Sequence, residues 1–359
     1  MKNKIKFDGT KLRLESNRPK TTTGGRHCPA SLCPDLEQNT VLGILRLNGR
    51  WVQGSPLPPR AQRSAPNPVT RVSPSRDAIG RLRRRRRAGN FSLMCTLAIY
   101  FQTLRDYPVV LAANRDEFLA RPADDPVTLC ENPHVVGGKD LKAGGTWLGI
   151  SEHGIVAGLL NRRAEGGGNP MARSRGLLTL DALRCRSAEE AAEFASRQRG
   201  SDYNPFNLLM VSRSHAFVAY NRGAAIEVVE LKPGLHLLSN LDVNDFECPK
   251  ISASYGKFAE LGEKAEFRSD PVGNRAALGE LLADHNTQLD SRVGTSAVIR
   301  PNALCLHVEA YGTRSSSMIF MRAGTTEVAH YFAPGPPCRT TYAPAAVPRG
   351  AGTLAQGPK

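Results

Sequence analysis

Cys95 follows Met94 directly and heads an apolar run, residues 96–101. Inside a protein such a cysteine is ordinarily a small core residue. At the start of a chain it is a nucleophile with its own base. Removal of an initiating Met94 would leave Cys95 with a free α-amine. An α-amine has a pKa of about 7.7–8.0 and a free thiol about 8.5, so the amine can take the thiol proton near neutrality. Which reading holds depends on whether residue 94 is the middle of this protein.

The charge distribution bears on that question. The 359-residue chain carries a formal charge of +15. Residues 1–93 hold 20 Lys and Arg against 5 Asp and Glu, and the remaining residues hold 28 of each, so all the excess lies before Met94. The same stretch has no sustained period of 2 or 3.6. Prolines at 56, 58, 59, 66, 68 and 74 interrupt it, and the arginines at 83–87 repel one another. Residues 1–93 therefore read as a disordered basic extension, arising from a start assigned too early. The rival readings are a targeting peptide or a basic arm for nucleic acid. The neutral remainder gives nucleic acid no footprint, so no nucleic-acid partner is expected.

The eight cysteines show no paired spacing. Cys28 and Cys33 lack a second pair to complete a zinc site. Cys305 and His307 share one face of an expected strand, but without further ligands that spacing reads as coincidence. No histidine pair has the HExxH spacing. No metal and no organic cofactor is expected. Free thiols point to a reducing compartment, and no apolar run reaches the ~20 residues of a membrane span, so a cytoplasmic location is expected.

The elements that must position Cys95 begin with strands at 96–101 and 108–113, joined by a turn near Arg105-Asp106. The second ends in Asn114-Arg115-Asp116-Glu117. Strands are expected at 144–150 and 154–160, with Asn161 at the end of the latter. Helices follow at 174–184 and 187–199, where Ser187 and Glu190 form a capping box. Strands resume at 207–211, 215–220, 226–231 and 235–239. Helices at 250–263 and 271–285 come next, the second with Asp270 as its N-cap. The pattern closes with strands at 303–310, 315–322 and 327–332, and a tail at 334–359 expected to be disordered. Consecutive strands without crossover helices pair antiparallel. The expected fold is an α+β domain at 94–333, two sheets face to face with helices outside.

Several motifs occurring in order make the chain similar to a known family. They are Met94-Cys95-Thr96, Asn114-Arg115-Asp116-Glu117-Phe118, Gly144-Gly145-Thr146-Trp147-Leu148-Gly149-Ile150, Pro205-Phe206-Asn207, Leu238-Ser239-Asn240-Leu241-Asp242 and Tyr311-Gly312-Thr313-Arg314-Ser315. Together with Ser174-Arg175-Gly176 they resemble the NRDE-motif family, the transport-and-Golgi-organisation type 2 family, across about residues 94–333. Its members begin at the Met-Cys pair. The family is in turn similar to N-terminal-nucleophile hydrolases of the choloylglycine hydrolase type. That likeness implies a four-layer αββα sandwich and an amidohydrolase acting on non-peptide C–N bonds.

The resemblance assigns roles. Cys95 would attack a carbonyl and form a thioester. Asp116 would hold its ammonium, Asn161 and Asn240 would donate to the oxyanion, and Arg314 would add positive field. The amidases carry an Arg where this chain has Ala113, and Arg115 would substitute for it. Asn114 and Trp147 would contact substrate. The implied activity is an N-terminal cysteine hydrolase or acyltransferase acting on a linear amide or an acyl compound. Family members have also been connected with haem, lipid or acyl-CoA handling, so a non-catalytic carrier with a trafficking role is the alternative. Read as bare residues, Arg115 and Asp116 could be an ion pair, and Asn161 and Asn240 ordinary turn residues.

Overall fold

A computed structural model describes residues 95–162, 167–223, 225–285 and 302–352, together with four short strands before them. Those strands are β1 (Ile5–Asp8), β2 (Lys11–Leu14), β3 (Arg46–Leu47) and β4 (Arg50–Trp51). β1 pairs antiparallel with β2, and β3 with β4. The rest of the extension expected to be disordered lies outside the described residues. The chain forms two compact units, one of Met1–Ser16 with Asn90–Lys359 and one of Asn17–Gly89.

Two antiparallel sheets build the larger unit. One has the order β14-β5-β6-β15-β16-β17, formed by β5 (Thr96–Leu104), β6 (Tyr107–Phe118), β14 (Gly234–Leu238), β15 (Tyr311–Met321), β16 (Val328–Ala333) and β17 (Ala343–Pro344). We call it the cysteine sheet. The other has the order β13-β12-β11-β10-β9-β8-β7, from β7 (Ala123–Glu131), β8 (His134–Asp140), β9 (Leu148–Ser151), β10 (Val156–Asn161), β11 (Phe206–Val211), β12 (Ala216–Asn221) and β13 (Ile226–Glu230). The helices are α1 (Arg175–Leu183), α2 (Ala188–Ser196), α3 (Pro249–Glu263), α4 (Ala265–Ser269) and α5 (Arg275–Leu282).

Strand alternation makes the four layers. Along β5, Leu97, Ile99 and Phe101 face the core between the sheets, while Ala98 and Tyr100 face a second core under α3–α5. On the other sheet, Leu209 and Val218 point between the sheets, and Leu208, Met210 and Phe217 point at α1 and α2. Both faces of each sheet are covered. The central strands are therefore apolar at almost every position, which is why they were legible as short apolar runs. The order helices, sheet, sheet, helices is the αββα sandwich. Ser187 accepts from the Glu190 amide at 3.2 Å, and Glu190 reaches back to the Arg186 amide at 2.9 Å, a variant of the expected capping box.

Four expectations need correction. β7 and β8 were not foreseen. β7 is an edge strand, mostly exposed, and Pro126 within it is tolerated because an edge strand need not donate on its outer side. Residues 303–310 are a loop, because the carbonyl of Leu304 and the amides of Leu304, Cys305 and Leu306 bond to Asn114, Asp284 and Thr313. The helix expected from 271 begins at Arg275; Asp270 accepts instead from the Gly273 amide at 2.8 Å, closing a turn. Residues 334–352 do not trail away. Ala343 and Pro344 pair with β16, and Val347 and Ala351 pack against the core between the sheets.

Candidate active site

β5 and β6 pair in the register Thr96↔Asn114 and Leu97↔Ala113. Cys95 and Arg115 are the next residues along, and both belong to the side facing the other sheet. Ala113 and Arg115, two apart, open on the same cavity. The cavity has about 330 Å³ of empty space, counting its mouth, and Cys95, Arg115, Trp147, Leu160, Ser315 and Ser317 are among its walls.

The Cys95 thiol rests on the backbone of Asp116. Its Sγ receives the Asp116 amide at 3.3 Å and lies 3.6 Å from the Asp116 carbonyl. The Ser239 hydroxyl donates to the Cys95 carbonyl at 3.0 Å, fixing the strand end. Burial pushes the thiol up to about 11, and the Asp116 charge adds to that. The Asp116 amide, Arg115 and Lys250 oppose it. In this environment the thiol holds its proton at neutral pH.

Arg115 lies over Trp147, its guanidinium carbon 4.1 Å from the ring centroid. Trp147 has room because Gly138 lies behind it, where a Cβ would approach the ring to 2.1 Å. Burial lowers the Arg115 pKa, with Cys95 and Glu117 working against that. A second, half-buried guanidinium, Arg175, feels the same Cys95 and Glu117 charges and donates to the Pro205 carbonyl at 2.9 Å. Its motif was visible in the sequence, but no role was attached to it.

Asp116 points the other way. Its carboxylate lies in the layer under α3, where Lys250 donates to Oδ2 at 2.6 Å and Thr313 to Oδ1 at 2.7 Å. The Tyr311 hydroxyl donates to its backbone carbonyl at 2.9 Å. Burial raises the Asp116 carboxyl above the usual range, and Lys250 and Thr313 pull it back. Lys250 had been seen only as the start of a helix. A lysine one residue after a helix-opening proline carries no signal of a carboxylate 134 residues earlier.

The other expected site residues divide. Asn114 borders the cavity, but both its amide protons go to the Leu282 and Leu304 carbonyls, at 2.8 and 2.9 Å, and its Oδ1 receives Ser316 at 2.7 Å. It anchors α5 and the 303–308 loop while bordering the cavity. Asn240 lies beside Ser239, and its Oδ1 accepts from the Cys248 thiol at 3.5 Å. Asn161 closes β10 opposite Phe206. Arg314 is the extra residue of a bulge in β15, with Nε buried and without a hydrogen-bond partner. Asn161, Asn240 and Arg314 are not among the residues lining the cavity. Of the expected residues, the structure gathers Cys95, Arg115, Trp147 and Asn114 at its wall.

Among the described residues, no helix is long and apolar enough to cross a membrane. The Transport and Golgi organisation 2 family model matches residues 94–330. The Transport and Golgi organization protein 2 homolog of Bos taurus is 33% identical over 244 residues, covering 60% of this chain and 83% of its own. The Homo sapiens homolog is 32% identical over 235 residues, with the same coverage. Among solved structures, the Caenorhabditis elegans N-acylethanolamine-hydrolyzing acid amidase ortholog aligns with a TM-score of 0.40 and 16% identity, over 63% of this chain and 92% of its own. A variant of conjugated bile acid hydrolase from Clostridium perfringens aligns at 0.36 and 10%, over 74% and 99%. By the match of its family model over residues 94–330, this chain belongs to the Transport and Golgi organisation 2 family.

Proposed function

We propose that the protein is an N-terminal cysteine hydrolase or acyltransferase whose working form begins at Cys95. The observation that carries this reading is the position of the Cys95 thiol, at the wall of a cavity it shares with Arg115 and Trp147. In that form the Cys95 α-amine takes the thiol proton as Sγ bonds to the carbonyl carbon of a small amide or acyl compound. The carbonyl electron pair moves to oxygen. Its collapse breaks the C–N bond, and the ammonium returns its proton to the departing amine. Water, or a second acceptor, then attacks the thioester and restores the thiol.

Arg115 supplies positive field beside the developing oxyanion, with the Asn240 and Asn161 amides and Arg314 as further candidate donors at nearby strand ends. A single well-placed donor contributes about 3–4 kcal/mol. Asp116 acts through its backbone, which seats the sulfur, while its carboxylate is held by Lys250. No metal enters this chemistry.

Intact-mass analysis of protein purified from its native source tests the first requirement, with a mature terminus at Cys95 expected. Incubation with a panel of activated acyl amides should then leave an acyl adduct on Cys95 that is lost in Cys95→Ala. A terminus upstream of Cys95 in active protein overturns the reading.

The second reading is a carrier for haem, lipid or acyl-CoA with a role in intracellular trafficking. Burial favours it for a chain that continues before Cys95, since it raises the thiol pKa and a protonated thiol is a poor nucleophile. Haem or acyl-CoA binding unchanged in Cys95→Ala, with no turnover of the panel, would select it.

A further inference from the structure

Four metal-ligating side chains from three separate stretches of chain converge outside the Cys95 cavity. His285 follows α5, Cys305 and His307 lie in the loop before β15, and Cys338 lies beyond β16. Their ligand atoms all lie within 4.8 Å of one another. The two sulfurs are 3.5 Å apart. His307 Nε2 lies 3.1 Å from Cys338 Sγ and 3.7 Å from Cys305 Sγ. A tetrahedral zinc ion with Zn–S of about 2.3 Å and Zn–N of about 2.0–2.1 Å sets S···S edges of about 3.8 Å and S···N edges of about 3.6 Å. The three edges among Cys305, His307 and Cys338 lie within about half an ångström of those values, and the His285 imidazole, whose ligand atom lies within 4.8 Å of the others, closes the remaining distance on binding.

His285 supplies an independent sign. Its Nδ1 lies 3.0 Å from the Cys305 carbonyl. A carbonyl can only accept, so Nδ1 carries the proton and Nε2 keeps its lone pair. Zinc-binding histidines are commonly fixed in this way, through a hydrogen bond from the other ring nitrogen to a backbone carbonyl. Here the carbonyl belongs to another member of the cluster.

We propose that His285, Cys305, His307 and Cys338 form a structural zinc site. Two thiolates and two imidazoles are a donor set for zinc rather than for magnesium or calcium. Four protein ligands fill a tetrahedron and leave no open position, so the ion is structural rather than catalytic. On binding, the two thiols release their protons to solvent and the two thiolates balance the ion's charge.

The site would pin together the end of α5, the 303–308 loop and the segment after β16. That loop supports the cysteine sheet from behind. The Leu304 carbonyl holds Asn114, and the Leu306 amide donates at 2.9 Å to Thr313 Oγ1, the group that in turn donates to Asp116. The ion would thus stiffen the support of the Cys95 site without touching it.

The test is the zinc content of full-length protein purified under reducing conditions without chelator, measured by elemental mass spectrometry. Cys338→Ser and His307→Ala, both at exposed positions, are compared with Cys95→Ser. The expected result is about one zinc per chain in the parent and in Cys95→Ser, and almost none in the two ligand variants. Cobalt added to metal-free parent protein should produce a thiolate-to-cobalt charge-transfer band. That measurement decides the matter if the variants do not fold. Zinc content unchanged in both folded variants overturns the proposal. So does a reduced, folded parent that takes up neither metal, or a Cys305–Cys338 disulfide in the metal-exposed protein.

Discussion

Asp116 and Lys250 form a buried ion pair at 2.6 Å, with the Lys250 side chain 4% exposed and that of Asp116 not exposed at all. The pair joins the second strand of the cysteine sheet to α3. The carboxylate expected to hold a terminal ammonium already has a cation of its own.

Removing that cation leaves an uncompensated buried carboxylate. Lys250→Met is expected to cost about 3–5 kcal/mol of stability, the usual penalty for breaking a buried pair from one side. Lys250→Met combined with Asp116→Leu should recover much of the loss. Urea unfolding of the single and double variants checks it; a single variant as stable as the parent would show the pair to be dispensable.

The Cys95 thiol should alkylate slowly at neutral pH. With Cys95 in peptide linkage and its pKa pushed up to about 11, the iodoacetamide rate should climb about tenfold per pH unit between pH 7 and 10. Peptide mapping by mass spectrometry separates Cys95 from the other cysteines. Protein that starts at Cys95 should level off earlier, because the new amine supplies positive charge beside the sulfur.

Gly138→Ala places a methyl group where the Trp147 ring now lies. The expected outcome is about 1–3 kcal/mol of destabilisation and displacement of Trp147 from Arg115. Trp fluorescence should shift at unchanged far-UV circular dichroism. An unshifted spectrum would mean that the ring does not need the glycine.

His330 should make the protein acid-sensitive. It is buried, its Nδ1 bonds the Ala346 carbonyl at 3.1 Å, and its Nε2 has no partner, so burial lowers its pKa from 6.5 to about 4. Between those values the unfolded chain binds the proton and the folded one does not. Stability is therefore fully present above pH 6.5 and falls as the pH drops toward 4. The loss is about 3 kcal/mol at most. His330→Gln should flatten this slope in denaturant titrations at stepped pH.

The layers were legible because each central strand is buried on both faces, and runs such as 108–113 can hardly be anything else. β7 was not, since its two acids and proline at 124–126 read as loop and only its place at a sheet edge makes them acceptable. In the site, Cys95 was readable from the Met94-Cys95 pair, and Arg115 and Trp147 from the motifs that carry the family resemblance. Lys250, His285 and Cys338 were not. Their meaning lies in contacts between segments 20 or more residues apart, where spacing carries no information.

The bulge at Arg314 has a consequence for the parity of β15. Before it, Thr313 faces the helices and meets Asp116; after it, Ser315 and Ser317 face the cavity and Ser316 faces the helices. The extra residue works as a phase shift. One strand thereby braces the outer layer at one end and furnishes the cavity at the other. Deleting Arg314 would close the bulge and leave Thr313 and Ser315 as neighbours opposite Asp116 and Arg115, each on its present side, so the extra residue bends the strand and places the Arg314 guanidinium beside the site.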